Sequence, residues 1–195
     1  MASQPRPGPA LTPDEYLALE RVAEHKSEYV DGIVVAMSGA SLAHNVIVAN
    51  LIMSLGPRLR ARGCQIFPSD LKVRSGSRFY YPDVSAICGE PAFLDGEADV
   101  VLNPSLIVEV LSPTTKSYDK GAKFLTYQRI ESLQEYLLVH QDQALVEQYI
   151  RQSEGAWLYR PAERAAEVQV LGCPLSLVEI YAGVPGPDSS EGCLG

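Results

Sequence analysis

The chain has 195 residues, 46% of them hydrophobic, with 24 acidic against 16 basic side chains and a formal net charge of −8. That length fills one domain core with no sign of a second, and the acidity excludes a protein that coats nucleic acid through many Lys and Arg contacts to phosphate. No apolar run approaches the roughly 18 to 20 residues of a membrane helix, and the N-terminus lacks the apolar core of a signal peptide, so a soluble cytoplasmic protein is expected.

Residues 1–11 are Pro-rich and polar, and residues 185–195 are rich in Gly, Pro and Ser. Both ends read as disordered tails, which leaves residues 12–184 as a single domain. Thr12-Pro13-Asp14-Glu15 supplies an N-cap, a proline at the first helical position and a glutamate at the third, predicting a helix to about Ala23. Residues 27–37, with Tyr29, Ile33, Val34 and Val35 around Asp31-Gly32, predict a β-hairpin. Ser41 then caps a long helix that carries Val46, Ile47, Leu51, Leu55 and Leu59 at helical spacing and ends near Gly63.

Three apolar stretches rich in Val, Ile and Tyr follow, at residues 65–73, 81–88 and 106–111, and read as consecutive strands. The acidic stretch 89–104, with Pro91, Gly96 and Pro104, reads as a surface loop. Asp119 is the expected N-cap of a helix over residues 120–130, residues 133–139 a further central strand, and residues 144–150 and 156–159 a hairpin around Glu154-Gly155. Residues 168–171 and 175–181 complete the pattern. The expected fold class is α/β, a mixed central β-sheet flanked by helices, with an additional C-terminal β-hairpin region.

Cys64, Cys88, Cys173 and Cys193 lack CxxC spacing, so free thiols are expected rather than a zinc site or a disulfide framework. Arg58, Arg60, Arg62, Lys72, Arg74 and Arg78 are opposed only by Asp70 in their stretch. They form either the wall of a local basic groove or a solvated positive face.

There is no GxxxxGK[ST] loop, no GxSxG elbow and no HExxH helix. His25, His44 and His140 are too dispersed for a histidine-built metal site, although His44, near the start of the long helix, is kept as a candidate. Oxygen-ligand chemistry remains. Asp83 opens one apolar stretch and Glu109 lies inside the next, where a lone ionised carboxylate costs several kcal/mol unless a partner or a metal compensates it. A divalent cation shared by both turns their repulsion into binding, and Mg²⁺ or Mn²⁺ takes one or two carboxylates together with water and phosphate.

Pro82-Asp83, the strand with Glu109 and a following lysine resemble the PD-(D/E)xK motif of the restriction-endonuclease-like superfamily. More narrowly, Glu28-Tyr29-Val30-Asp31-Gly32, Tyr81-Pro82-Asp83-Val84, Val108-Glu109-Val110-Leu111-Ser112-Pro113 and Asp119-Lys120-Gly121-Ala122-Lys123 resemble the bacterial Uma-two family of endonucleases, over roughly residues 11–181. The superfamily's lysine stands two residues after the glutamate; here that position is Leu111, so Lys116, Lys120 or Lys123 must substitute. The resemblance favours Lys123, and helical spacing places Lys120, Lys123 and Tyr127 on one face.

The resemblance implies a restriction-endonuclease-like fold and a Mg²⁺- or Mn²⁺-dependent endonuclease acting on DNA. Asp83 and Glu109 would bind the metal, Lys123 would orient the water and Glu28 would assist. The rival expectation is a catalytically inactive nuclease-fold module that binds nucleic acid or protein, and a third is a hydrolase of a small phosphoester. Cutting both strands of a duplex calls for two active sites, so a homodimer through the C-terminal strands is expected.

Overall fold

The structure, a computed structural model, describes residues 10–112, 115–164 and 166–185. The tails expected at 1–9 and 186–195 lie outside the described residues. Leu11, placed in the N-terminal tail by composition, is instead held to the fold: its N–H donates to the Gly32 carbonyl at 3.1 Å and its carbonyl accepts from the Tyr29 hydroxyl at 2.6 Å.

Helix α1 (Pro13–Glu20) starts on the expected reciprocal cap between Thr12 and Glu15. It stops short of Ala23 because Glu20 turns inward, accepting the Ser27 N–H at 2.8 Å. Strands β1 (Ser27–Val30) and β2 (Ile33–Ala36) pair antiparallel around Asp31-Gly32, both at positive φ, as a two-residue hairpin turn requires. Helix α2 (Leu42–Arg60) begins at Ser41, whose hydroxyl accepts the His44 N–H at 3.1 Å.

The stretch 65–73 is not one strand. It divides into β3 (Cys64–Pro68) and β4 (Lys72–Ser75), separated by a turn at Ser69-Asp70-Leu71, and the two enter different sheets. Next come β5 (Arg78–Tyr80), β6 (Val84–Cys88), β7 (Val100–Val101) and β8 (Leu106–Leu111). The expected surface loop 89–104 therefore carries a strand. Val100 and Val101 are fully buried and pair parallel with β4.

Helical structure then begins earlier than Asp119 and ends earlier than Ile130. It runs as α3 (Lys116–Tyr118), a π-helical turn (Asp119–Lys123) and α4 (Phe124–Tyr127). Asp119 sits within the helical run and its N–H already bonds to the Thr115 carbonyl at 2.9 Å, so it is no N-cap. Strands β9 (Glu135–His140), β10 (Leu145–Arg151), β11 (Trp157–Glu163), β12 (Glu167–Val170) and β13 (Cys173–Ser176), and helix α5 (Leu177–Ile180), complete the chain.

The strands assemble into a six-stranded sheet ordered β11-β10-β9-β8-β6-β3, a five-stranded sheet ordered β2-β1-β5-β4-β7, and the β12-β13 hairpin. The larger sheet is mixed, since β8 and β9 run parallel while its other pairs are antiparallel. Side chains alternate along β8. Leu106, Val108 and Val110 pack under Ile47, Leu51, Leu55 and Leu59 of α2 and under the C-terminal hairpin. Ile107 and Leu111 face the other way, into a cluster with Tyr80, Phe124, Tyr127 and Tyr136, and Glu109 shares that side. The β12-β13 hairpin buries Val168, Val170 and Leu175 in its own chain's core. Among the described residues no helix is long and apolar enough to cross a membrane.

Two further expectations are corrected. Cys64 and Cys88 form a disulfide, because the β3–β6 register sets these residues, separated by 24 in sequence, directly opposite each other. Cys173 is a buried free thiol, and Cys193 lies outside the described residues. The basic stretch is not one continuous wall or face, since three of its six cations are paired within the fold. Arg58 is bound bidentately by Glu179, Lys72 is buried against Asp99 and Tyr81, and Arg78 pairs with Asp31.

Candidate functional site

The β6–β8 pairing brings the start of one strand alongside the middle of the other, with Val84 opposite Val108. Asp83 is thereby aimed across the pair, and its Oδ2 accepts the Val110 N–H at 2.7 Å. Its Oδ1 lies 3.1 Å from His44 Nε2, so the histidine kept as an outside candidate reaches the site from the first turn of α2. His44 Nδ1 is buried with no hydrogen-bond partner among the described residues.

Glu109 projects toward the π-helical turn. Lys123 Nζ lies 2.9 Å from Glu109 Oε1 and 3.1 Å from Glu28 Oε1, with Asp119 at 3.9 Å and the Tyr80 ring 5.4 Å below the ammonium. Glu28 comes from β1 in the smaller sheet and is braced by the Tyr81 N–H at 3.1 Å. The Tyr127 hydroxyl donates to Glu109 Oε1 at 3.1 Å. Glu109, Lys123 and Glu28 are 4%, 5% and 8% exposed, so the cluster is a buried ionic network rather than a surface pairing.

The π-turn decides which lysine arrives. Asp119, Lys123 and Tyr127, four residues apart, share the inward side. The single face expected for Lys120, Lys123 and Tyr127 is therefore split, and Lys120 pairs with Glu147 on β10 instead. Asp119 joins the site although its sequence position suggests a cap, and Tyr127 joins it beside Lys123. The signals for Asp119 were its place in the Asp119–Lys123 motif and its four-residue spacing from Lys123.

Burial pushes the Glu109 carboxyl well above the usual range, against the pull of Lys123 and with Asp119, Asp83 and Glu28 adding to the push. Burial draws Lys123 down, but Glu109, Glu28 and Asp119 outweigh it and hold the ammonium well above its ordinary value. Burial likewise lifts Asp119, with Lys123 opposing, and lifts Tyr127, with Glu109 reinforcing. With three carboxyls converging on one ammonium, Lys123 stays charged and the deficit of positive charge falls on the carboxylates.

The network forms one wall of a cleft of about 790 Å³, which His44, Asp83, Glu109, Tyr118 and Lys123 all line. Its charged lining is Glu24, Glu28, Asp83, Glu109 and Asp119 against Lys26 and Lys123. No set of three His, Cys, Asp or Glu is arranged to hold a metal ion among the described residues.

The family described as "Putative restriction endonuclease" (Uma2) matches residues 13–181. The chain belongs to the Uma2 family. Two cyanobacterial relatives are similar over most of their length, both from Synechocystis sp. The protein sll1609 is 41% identical over 150 residues, covering 76% of this chain and 85% of that protein. The protein slr1290 is 36% identical over 183 residues, covering 91% and 95%. Among solved structures, a putative nuclease belonging to DUF820 from Anabaena variabilis superposes with a TM-score of 0.73 at 21% identity, over 88% of this chain and 97% of that one. This likeness shows that the Uma2 chain shares the fold of that structure, a mixed sheet flanked by helices.

Proposed function

We propose that this Uma2 protein is a divalent-metal-dependent endonuclease that hydrolyses phosphodiester bonds in DNA. The observation that carries the reading is the convergence of Lys123 Nζ on Glu109 and Glu28, at 2.9 and 3.1 Å, beside Asp83 in one cleft. Lys123, reaching Glu109 from the helix, would take the part of the lysine that the superfamily pattern has two residues after the glutamate.

The donor set fits a hard cation. Asp83 and Glu109 offer only oxygen, and the uncompensated negative charge around Lys123 favours a bound Mg²⁺ or Mn²⁺. Two carboxylates are fewer than a closed protein cage, in keeping with a cation that takes its remaining ligands from water and substrate phosphate. Such an ion polarises a phosphoryl oxygen and makes a bound water more acidic. Asp83 and Glu109 would hold it, Lys123 would orient the attacking water and counter charge building on the phosphate, and Glu28 would fix the lysine against Glu109.

Plasmid nicking in Mn²⁺ or Mg²⁺ tests the proposal. Asp83→Ala and Glu109→Ala are expected to abolish it, and activity surviving both substitutions refutes the site. The inactive-module reading draws on the acidic cleft and the dispersal of the arginines; binding of DNA without cleavage under every metal condition is the outcome that favours it.

A further inference from the structure

A second buried ionic cluster lies outside the cleft, behind the same helical run. Glu147 on β10 is 4% exposed and His140 on β9 is 1% exposed. The Glu147 carboxylate meets three groups: His140 Nε2 at 2.6 Å, the Tyr159 hydroxyl at 3.3 Å and the Lys120 ammonium in a close ion pair. The Gln143 amide donates to His140 Nδ1 at 3.1 Å, which leaves Nε2 as the nitrogen that donates to Glu147. None of Lys120, His140 and Glu147 lines the cleft.

Lys120 and Lys123 lie in one five-residue π-turn and leave it on opposite flanks, toward Glu147 and toward Glu109 with Glu28. The flanking α-helical pieces are three and four residues long, far below the length at which a helix holds its own geometry. The turn's placement must come from what it is fastened to. Phe124 stacks on Tyr136 and the Tyr136 hydroxyl donates to the Asp119 carbonyl at 3.0 Å, which hold its two ends. Between those ends, the Lys120–Glu147 pair adds a tie on the flank opposite Lys123, beside the Thr126 bonds from Ser75 and Arg78 further along the run.

We propose that Glu147, acting through Lys120, is a positioning residue for Lys123: the β10 carboxylate sets the rotation of the π-turn that delivers the Lys123 amine to Glu109. His140 and Tyr159 serve by holding Glu147. This rests on the endonuclease reading for its catalytic consequence, although the placement of Lys123 is measurable without it. A displaced general-acid or water-orienting group costs rate and leaves substrate binding nearly intact.

The experiment compares Lys120→Met, Glu147→Gln, their double variant and Lys120→Arg with the parent chain in plasmid nicking and in NMR of lysine-labelled protein. Lys120→Met and Glu147→Gln should each lower kcat by about tenfold with KM changed by less than about twofold, and the double variant should be no worse than either. Lys120→Arg, which keeps the ion pair, should recover most of the rate. The Lys123 side-chain resonance, shifted by the Tyr80 ring in the parent, should move toward the position of an exposed lysine in Lys120→Met. An unmoved Lys123 resonance in a folded Lys120→Met overturns the proposal, as does a parental kcat. A parent chain that cleaves nothing refutes the endonuclease reading instead, and the resonance then decides the positioning role alone.

Discussion

At the scale of single residues, the deciding contacts are charge pairs removed from water. Lys123 is buried against Glu109 and Glu28, and taking away one member of such a network strands the others. Lys123→Met is expected to cost about 3 to 5 kcal/mol of stability in urea unfolding, more than a surface lysine would. Asp99 provides a pH-dependent case. Burial lifts its carboxyl, but bonds from Arg21 and Lys72 outweigh this and bring it to about 2. The unfolded value is about 3.9, so Asp99 contributes stability above about pH 4, and that contribution is lost as the pH falls through about 2. Thermal melts of Asp99→Asn between these values should show a flatter acid limb than the parent; an identical limb would contradict the assignment. His44 holds Asp83 Oδ1 at 3.1 Å. If Asp83 holds the metal as proposed, His44→Ala should weaken Mn²⁺ binding in calorimetry by about tenfold, the usual effect of losing a residue that orients a ligand carboxylate.

Elements show where local sequence signals are sufficient and where they are not. The Thr12 cap, the Asp31-Gly32 turn and the Ser41 start of α2 appear as read, because each is set by bonds within three or four residues. The break between β3 and β4 is signalled locally by Pro68, which ends β3, and by Ser69-Asp70, although the apolar residues on either side read as one run. The π-turn was hidden, because an i→i+5 helix has no composition of its own and forms only where packing on both flanks demands it. The β3–β6 pair adds a testable tie. Cys64 and Cys88 close a loop with a sequence separation of 24, for which chain entropy gives about 3 kcal/mol. Urea midpoints with and without reductant should differ accordingly, and Cys64→Ser should abolish the difference.

At the scale of the whole molecule, charge placement governs how a nucleic acid would be met. The net charge is −8, and three of the six cations that the sequence clusters between Arg58 and Arg78, namely Arg58, Lys72 and Arg78, are paired with Glu179, Asp99 and Asp31. Few counterions are then displaced on binding. The slope of log K against log salt for DNA binding in Ca²⁺ should have a magnitude below about 3, against values near 6 or more for proteins with an arginine-lined groove; fluorescence anisotropy across a salt series measures it. The C-terminal hairpin buries its apolar residues against its own α2.

What the sequence determined by itself was the set of parts: the caps, the hairpin, the apolar strands, and the carboxylates Asp83 and Glu109 on strands close in order. Those features depend on side chains near one another along the chain. Only the tertiary structure decided that β6 pairs with β8, that Lys123 and not Lys120 turns toward Glu109, that Glu28 crosses from the smaller sheet to meet it, and that Cys64 meets Cys88. Each of these depends on register or helix rotation, quantities fixed by packing between segments that the order of residues does not encode locally.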